Sequence, residues 1–355
     1  MKSNANILAI DTSCDDTAAA VVSGRVLLSN IIASQTELHK PYGGVFPTVA
    51  KQAHKENIDR VIETALSRAR TNPKQLAAVA VTQGPGLAPA LEVGIRAAQQ
   101  FARQHKLPLI PVNHIEGHIL SCLAVPKTQQ GKELIEPSMP VLAVIVSGGH
   151  TQFIEVSEIG TYSILGSTLD DAAGECLDKI GRMLHLGYPA GPTIETFAKQ
   201  GDPKAYAFPL PMTTIQSYDM SFSGLKTFAR NTLEEKTKDA PLQKQEIYDF
   251  CASAQFSVFR HIMYKLNKLI ETHKYTAVWL GGGVAANVAL RRMIRETIQP
   301  YGVRLHVPYT RRLTMDNAAM IGIAASYKLA KNANLANTDE VDRKPRWSIE
   351  TKKQV

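Results

Sequence analysis

A chain of 355 residues, 44% of them hydrophobic, can build two domains with cores of their own, which excludes a small stapled fold. Four cysteines (Cys14, Cys122, Cys176 and Cys251) lie far apart with no C-x-x-C, which argues against a disulfide framework or zinc ribbon and suits a reducing cytosol. A formal charge of +8 and a sequence pI of about 9.2 fit a polyanionic partner such as nucleic acid, although an ordinary basic surface has the same balance.

At the N-terminus, MKSNANILAIDTS has no apolar run long enough for a signal peptide and no Arg-rich amphipathic leader. No later segment reaches the ~20 apolar residues of a membrane span. The expectation is a soluble, cytoplasmic protein without a membrane partner. ILAIDTSCDDTAAAVV (7–22) reads as a β-hairpin, and its turn DTSCDDT (11–17) holds three aspartates and three hydroxyls. Asp15 and Asp16 suit a turn for local reasons alone. QLAAVAVTQGPG and PLIPVNHIEGH then continue as strand and helix.

In VNHIEGHIL (112–120), His114 and His118 stand four apart at the start of a helix. At about 3.6 residues per turn both rings return to one face and can share a metal ion. Residues 1–125 form the expected first domain, and PKTQQGKELIEPSMP (126–140), polar and proline-bearing, the linker. VLAVIVSGGHTQFIEV (141–156) repeats the hairpin design, its turn at Ser147-Gly148-Gly149-His150 offering backbone N–H groups to an anion. A helical insertion is expected over about 166–272, where Ala173, Leu177, Ile180 and Leu184 make a helix-like stripe. WLGGGVAAN (279–287) joins strand, triple glycine and helix start, a phosphate or nucleoside site with Asn287 as a ligand contact or an early-turn polar residue. TRRLTMDNAAM puts Asp316 at the head of an apolar helix, as an N-cap, a third metal ligand, or both. The second domain spans 141–330, its last helix packing back on the first domain, and 331–355 reads as a polar, extended tail.

Two phosphate-facing hairpins in duplicated halves, with a glycine loop before a helix, form an α/β pattern of the actin-like and sugar-kinase-like kind: two similar domains around a cleft. No G-x-G-x-x-G and no Walker A lysine motif is present. His/His/Asp suits zinc or ferrous iron with positions open to substrate. A metalloprotease needs Glu directly after the first His; here that residue is Ile115, and Glu116 lies about 200° round the helix from His114. Glu116 is expected to partner Asn113 in a capping-box-like start. The peptidase reading lacks its base.

With HIEGH, VSGGHTQ, GGGVAAN and MDNAAM in this order, the sequence resembles the bacterial-type TsaD family, the threonylcarbamoyl transferases of tRNA modification. DTSCDDT, YGGVFP, TQGPGL, DDAAGECLDK, YPAGP, MSFSGLKTFA and KPRW extend the likeness over about residues 7–347. The resemblance implies an actin-like ATPase fold and transfer of threonylcarbamoyl from its adenylate to N6 of adenosine 37, in tRNAs reading codons that begin with A. It implies one divalent metal, iron first and zinc second, on His114, His118 and Asp316. It places the adenylate at Ile145, Val146, Ser147, Gly148, Gly149, Asp178, Gly191 and Asn287, with Asp15 as an active-site acid. Partners so implied are tRNA, a separate synthase making the adenylate, a TsaB-like paralogue and a TsaE-like ATPase. Arg291, Arg292, Arg311 and Arg312 are candidates for tRNA contact, or plain surface.

The chain departs from the family pattern at Asp11, where Glu is usual, and at Thr48 and Gln52, which replace an acid and an arginine. Pro89 and Glu92 stand where small or apolar residues are usual, and Thr314-Met315 replace Cys-Thr. None removes a metal ligand. The alternatives are a small-molecule carbamoyltransferase of this fold, a non-catalytic scaffold and a sugar kinase. An inactive paralogue would be expected to lose the histidine pair, and a sugar kinase has no use for the triad.

Overall fold

The computed structural model describes residues 5–134, 136–331 and 340–351. Ile135 of the expected linker, and 332–339 and 352–355 of the expected tail, lie outside the described residues. The chain divides into two compact units, Met1–Pro137 with Ile159–Thr161 and Val307–Val355, and Ser138–Glu158 with Tyr162–His306.

In the first unit β1 (Asn6–Asp11), β2 (Asp16–Ser23) and β3 (Val26–Ser34) form an antiparallel meander. The short helix α1 (Thr36–His39) and the long α2 (Pro47–Ala69) follow. Then come β4 (Leu76–Gly84), α3 (Ala88–His105), β5 (Leu109–Asn113), α4 (His114–Leu120) and the two-residue β6 (Val125–Pro126). β4 and β5 run parallel beside β1, so the sheet order is β5-β4-β1-β2-β3-β6. β1 is covered on both faces and reads as an unbroken apolar run for that reason. One face carries the core of Leu8, Ile10, Val79, Val81 and Leu91 with Ile58, Val61 and Ile62 of α2.

The second unit repeats the plan. β7 (Val141–Val146), β8 (Thr151–Glu158) and β9 (Thr161–Ser167) are its first three strands. The helices α5 (Ala173–Met183), α6 (Gly191–Ala198), α7 (Ser223–Lys236) and α8 (Lys244–Thr272) come next. β10 (Ala277–Gly281), α9 (Val288–Ile298) and β11 (Arg304–His306) complete the sheet β11-β10-β7-β8-β9. Its order matches β5-β4-β1-β2-β3 strand for strand, so the repeat seen in the two hairpin sequences extends to the topology. The stripe of Ala173, Leu177 and Ile180 is buried on α5, and Leu184, its C-cap, is buried with them.

The last helix, α10 (Ala318–Ala330), belongs to the first unit and is buried on every side from Ala318 to Tyr327. An apolar helix of this kind needs neighbours all round. It packs on β1 and β2, and also on α4, where a Cβ at Gly117 would lie 3.0 Å from Ile321 and Met320. That close approach sets α4 beside the head of α10.

Candidate metal centre

α4 begins where β5 ends because Asn113 is extended and its Oδ1 accepts the Ile115 N–H at 2.9 Å. The Glu116 carboxylate, expected to complete a capping box, is paired with the Lys328 ammonium of α10 at 2.9 Å. This ion pair ties the two helices together. His114 and His118 are buried, with ring centroids 4.6 Å apart and the rings edge to face. Asp316, expected as a helix cap, a ligand, or both, is not the N-cap of α10: that is Asn317, whose Oδ1 accepts the Met320 N–H at 3.2 Å. The neighbouring residue takes the capping role and leaves the Asp316 carboxylate for the histidines.

Asp316 Oδ1 lies 3.5 Å from His114 Nε2 and 3.2 Å from His118 Nε2, and one donor atom from each of the three residues falls within 4.8 Å of the others. Donors bound at about 2.0–2.2 Å around one tetrahedral ion sit roughly 3.3–3.6 Å apart, so these separations fit a shared cation. His118 Nε2 is buried without a hydrogen-bond partner although the carboxylate is so close. The other ring nitrogen is likewise without a partner, and a cation on Nε2 would satisfy that atom and the carboxylate together.

The electrostatics of the three groups are coupled. Burial alone pushes the His114 imidazole down, but the Asp316 carboxylate, helped by Asp11, outweighs it and holds it at about 9. Burial keeps His118 below its ordinary value, with His114 adding to the effect. Burial pushes the Asp316 carboxyl up, and the two imidazoles more than reverse this, holding it well below the usual carboxylate range. Without a cation, His114 is thus held up and Asp316 held down chiefly by each other.

The first hairpin turn crowds further carboxylates around this place. Asp11, at the end of β1, is 1% exposed; its Oδ1 accepts the Ser13 N–H at 3.2 Å and lies 3.9 Å from His114 Nδ1. Burial pushes Asp15 up, reinforced by Asp316. Asp16 is pushed up to about 7 by burial and by its neighbours Asp15, Asp316 and Asp11. Sequence reasoning singled out Asp15 and passed over Asp16. It also passed over His54, which is fully buried and bonded to Thr17 (2.8 Å), Gln35 (3.1 Å) and the Cys14 carbonyl (3.1 Å). A histidine on an apolar helix face was the only sign of it.

The glycine turns lie in the second unit. Ile145 and Val146 are buried at the end of β7. The Ser147 hydroxyl accepts the N–H groups of Gly149 (3.3 Å) and His150 (2.9 Å), so these donors close the turn on itself. Gly148 and Gly149 are exposed and face open space. Gly282 has φ +92° and lies so close to the Val146 carbonyl that a Cβ would fall 2.4 Å from its oxygen, so only glycine fits there. Asn287 caps α9, its Oδ1 accepting from Ala289 (2.9 Å) and Leu290 (3.2 Å) while its Nδ2 donates to Gln255 at 2.7 Å. Asp178 accepts the N–H groups of Ala190 (2.8 Å) and Gly191 (3.0 Å), holding the YPAGP loop against α5.

Of the basic residues, Arg291 Nε donates to the Ala285 carbonyl at 2.6 Å and Arg292 faces Glu296 at 3.8 Å, while Arg311 and Arg312 are exposed. Glu92, an unusual residue at its position, gathers Lys51 and Arg343 at 3.0 Å each. Gln52 bonds Glu56 at 2.7 Å on the exposed side of α2.

The chain matches the family described as TsaD, tRNA N6-adenosine threonylcarbamoyltransferase, over residues 26–323. A curated protein of that description from Christiangramia forsetii is 41% identical over 327 residues, covering 92% of this chain and 94% of the relative. One from Clostridioides difficile is 44% identical over 323 residues, covering 90% and 92%. Among solved structures, T. kodakarensis HypF superposes with a TM-score of 0.62 at 15% identity, over 94% of this chain and 49% of HypF. Component A of the Acidaminococcus fermentans (R)-2-hydroxyglutaryl-CoA dehydratase gives 0.51 at 13%, over 92% and 100%. Likeness at such identities shows the fold, and it is the actin-like ATPase fold expected from the sequence.

Proposed function

The chain belongs to the TsaD family of tRNA N6-adenosine threonylcarbamoyltransferases, and from that premise we propose that it moves threonylcarbamoyl from threonylcarbamoyl-adenylate to N6 of adenosine 37 in tRNAs reading codons that begin with A, with a divalent metal assisting. The observation that carries the metal-assisted reading is the donor set of His114, His118 and Asp316, whose spacing fits one cation. Iron is the first choice and zinc the second, since two imidazoles and a carboxylate accept either.

The donor is a mixed anhydride, so no ATP is cleaved in the transfer step itself. N6 attacks the carbamoyl carbon and AMP leaves with the bond electrons. When bound, the cation supplies a Lewis acid for the carbamoyl oxygen. The three ligands would hold that charge in place, with His114 giving up its proton to do so. Ser147, Gly148 and Gly149, together with Ile145, Val146, Asp178, Gly191 and Asn287, would seat the adenylate. Asp15 takes the catalytic role: burial and Asp316 raise its affinity for a proton, which suits a group receiving one from the attacking amine. An exocyclic amine is a weak nucleophile, so positioning carries much of the acceleration. The partners in this reading are the separate adenylate synthase, a TsaB-like paralogue and a TsaE-like ATPase, in the cytoplasm. Among the described residues no helix is long and apolar enough to cross a membrane.

The test is a reconstitution with cognate synthase and partners, ATP, threonine, bicarbonate and tRNA. Threonylcarbamoyladenosine should form at position 37, and a complete mixture that forms none would sink the reading. Independently, His118→Ala should strip the purified protein of most of its metal in elemental analysis; full retention would refute the ligand assignment.

A further inference from the structure

The two ring nitrogens of His114 face two different carboxylates. Nε2 looks toward Asp316 at 3.5 Å, on the side shared with His118. Nδ1 looks the other way, toward Asp11 Oδ1 at 3.9 Å. Nδ1 is buried with no hydrogen-bond partner, and so is Asp11 Oδ2. The contact is to Oδ1, which the Ser13 N–H already holds, and Oδ2 of the same carboxylate is the unpartnered oxygen, so a buried ring nitrogen without a partner faces a buried carboxylate with acceptor capacity to spare.

We infer that Asp11 is a positioning residue that takes the Nδ1–H of His114 and thereby fixes this ring, its Nε2 lone pair aimed at the cation. The inference rests on reading His114, His118 and Asp316 as a metal site. Asp11 is not itself a fourth ligand, because it stands behind the imidazole, on the side away from the donors. A carboxylate there does two things. It keeps the proton on Nδ1, so that Nε2 is the free base, and it makes the imidazole a better donor. The separation of 3.9 Å is about 0.7 Å beyond a normal N–H···O bond, a gap that a small ring rotation on metal binding closes. The backbone is prepared for this: the Ser13 N–H holds Asp11 Oδ1, and Asp11 ends a strand paired on both sides.

The experiment measures Co²⁺ and Zn²⁺ dissociation constants by chelator competition for the full-length parent, Asp11→Asn, Asp11→Ala and His118→Ala, alongside thermal unfolding of each metal-free protein. The expected result is a loss of affinity of about 10- to 100-fold for Asp11→Ala and a smaller one for Asp11→Asn, whose amide oxygen still accepts from Nδ1. The ring's fixed tautomer should appear in long-range ¹H–¹⁵N spectra of histidine-labelled, Zn²⁺-loaded parent as a protonated Nδ1 on His114. The metal-free Asp11→Asn protein, whose side-chain oxygen still accepts the Ser13 N–H, should unfold near the parental temperature while binding metal more weakly; a purely structural residue would lower the unfolding temperature and leave the affinity unchanged. If the parent binds tightly and His118→Ala does not, while both Asp11 variants bind like the parent, the positioning role is overturned and the metal site stands. Parental binding by His118→Ala, or none by the parent, overturns the metal reading and this inference with it.

Discussion

His261, fully buried on α8, shows how one side chain sets a pH limit. Its Nε2 accepts the Ser221 N–H at 3.2 Å, so the ring is neutral with its proton on Nδ1. Burial, with Lys265 adding to it, lowers His261 to about 4. Protonation would turn the acceptor into a donor facing another donor. Between about pH 6.5 and 4 the unfolded chain binds this proton and the folded chain does not. The stability tied to it is therefore complete above about 6.5 and lost as pH falls toward 4, by about 3 kcal/mol in all. Urea unfolding of metal-free protein at pH 7 and pH 4.5 should show His261→Gln losing less stability than the parent, since the amide oxygen keeps the Ser221 bond without titrating. Equal losses would show that His261 is not the group responsible. At the same scale, the histidine pair was legible because i, i+4 spacing forces two rings together. The division of labour between Asp316 and Asn317 was not, because either side chain can cap a helix and only the backbone at α10 selects one.

Helices and loops act as units around the same centre. Residues 340–351, expected as part of a polar, extended tail, lie across the first unit and are pinned along their length. Val341 and Ile349 are buried, Lys344 N–H donates to the Gln83 carbonyl at 2.7 Å, and Gly86 N–H to Pro345 at 3.2 Å. Asn113, the cap of α4, donates its Nδ2 to the Trp347 carbonyl at 3.2 Å, so this segment reaches the start of the metal-binding helix. A Cβ on Gly84 would sit 1.9 Å from the Lys344 carbonyl oxygen. Gly84→Ala should therefore cost about 1–3 kcal/mol in denaturant unfolding and open 340–351 to limited proteolysis. A variant as stable and as resistant as the parent would show that the segment yields freely. The glycine of TQGPGL was visible in the sequence; its reason was an irregular segment 260 residues further along, which no local pattern encodes.

Charge is a property of the whole molecule. With a formal +8, the protein should bind tRNA with a strong salt dependence, because each neutralised phosphate releases counterions. Three phosphate contacts give a log–log slope of about −2 to −3 and a loss of roughly 20- to 40-fold between about 50 and 200 mM salt. Replacing the exposed Arg311 and Arg312 by alanine should lower the slope by about one to two, measured by titration of labelled tRNA. An unchanged slope would remove these two residues from the tRNA surface.

What the sequence by itself determined is whatever short-range periodicity encodes. The two hairpins, the stripe on α5, the cap at Asn113 and the shared face of His114 and His118 all follow from spacings of two or about 3.6 residues. Repetition of one hairpin design also pointed to two similar α/β units, and the full set of motifs announced the family. Only the tertiary structure decided which distant groups meet beyond the ligand set: Glu116 with Lys328, Asp11 behind His114, and residues 340–351 at the ends of β4 and β5. The reason is physical. Strand and helix signals arise between neighbours along the chain, whereas a buried carboxylate or a capped glycine is set by packing between segments, and many sequences with the same local pattern would bring different partners to that place.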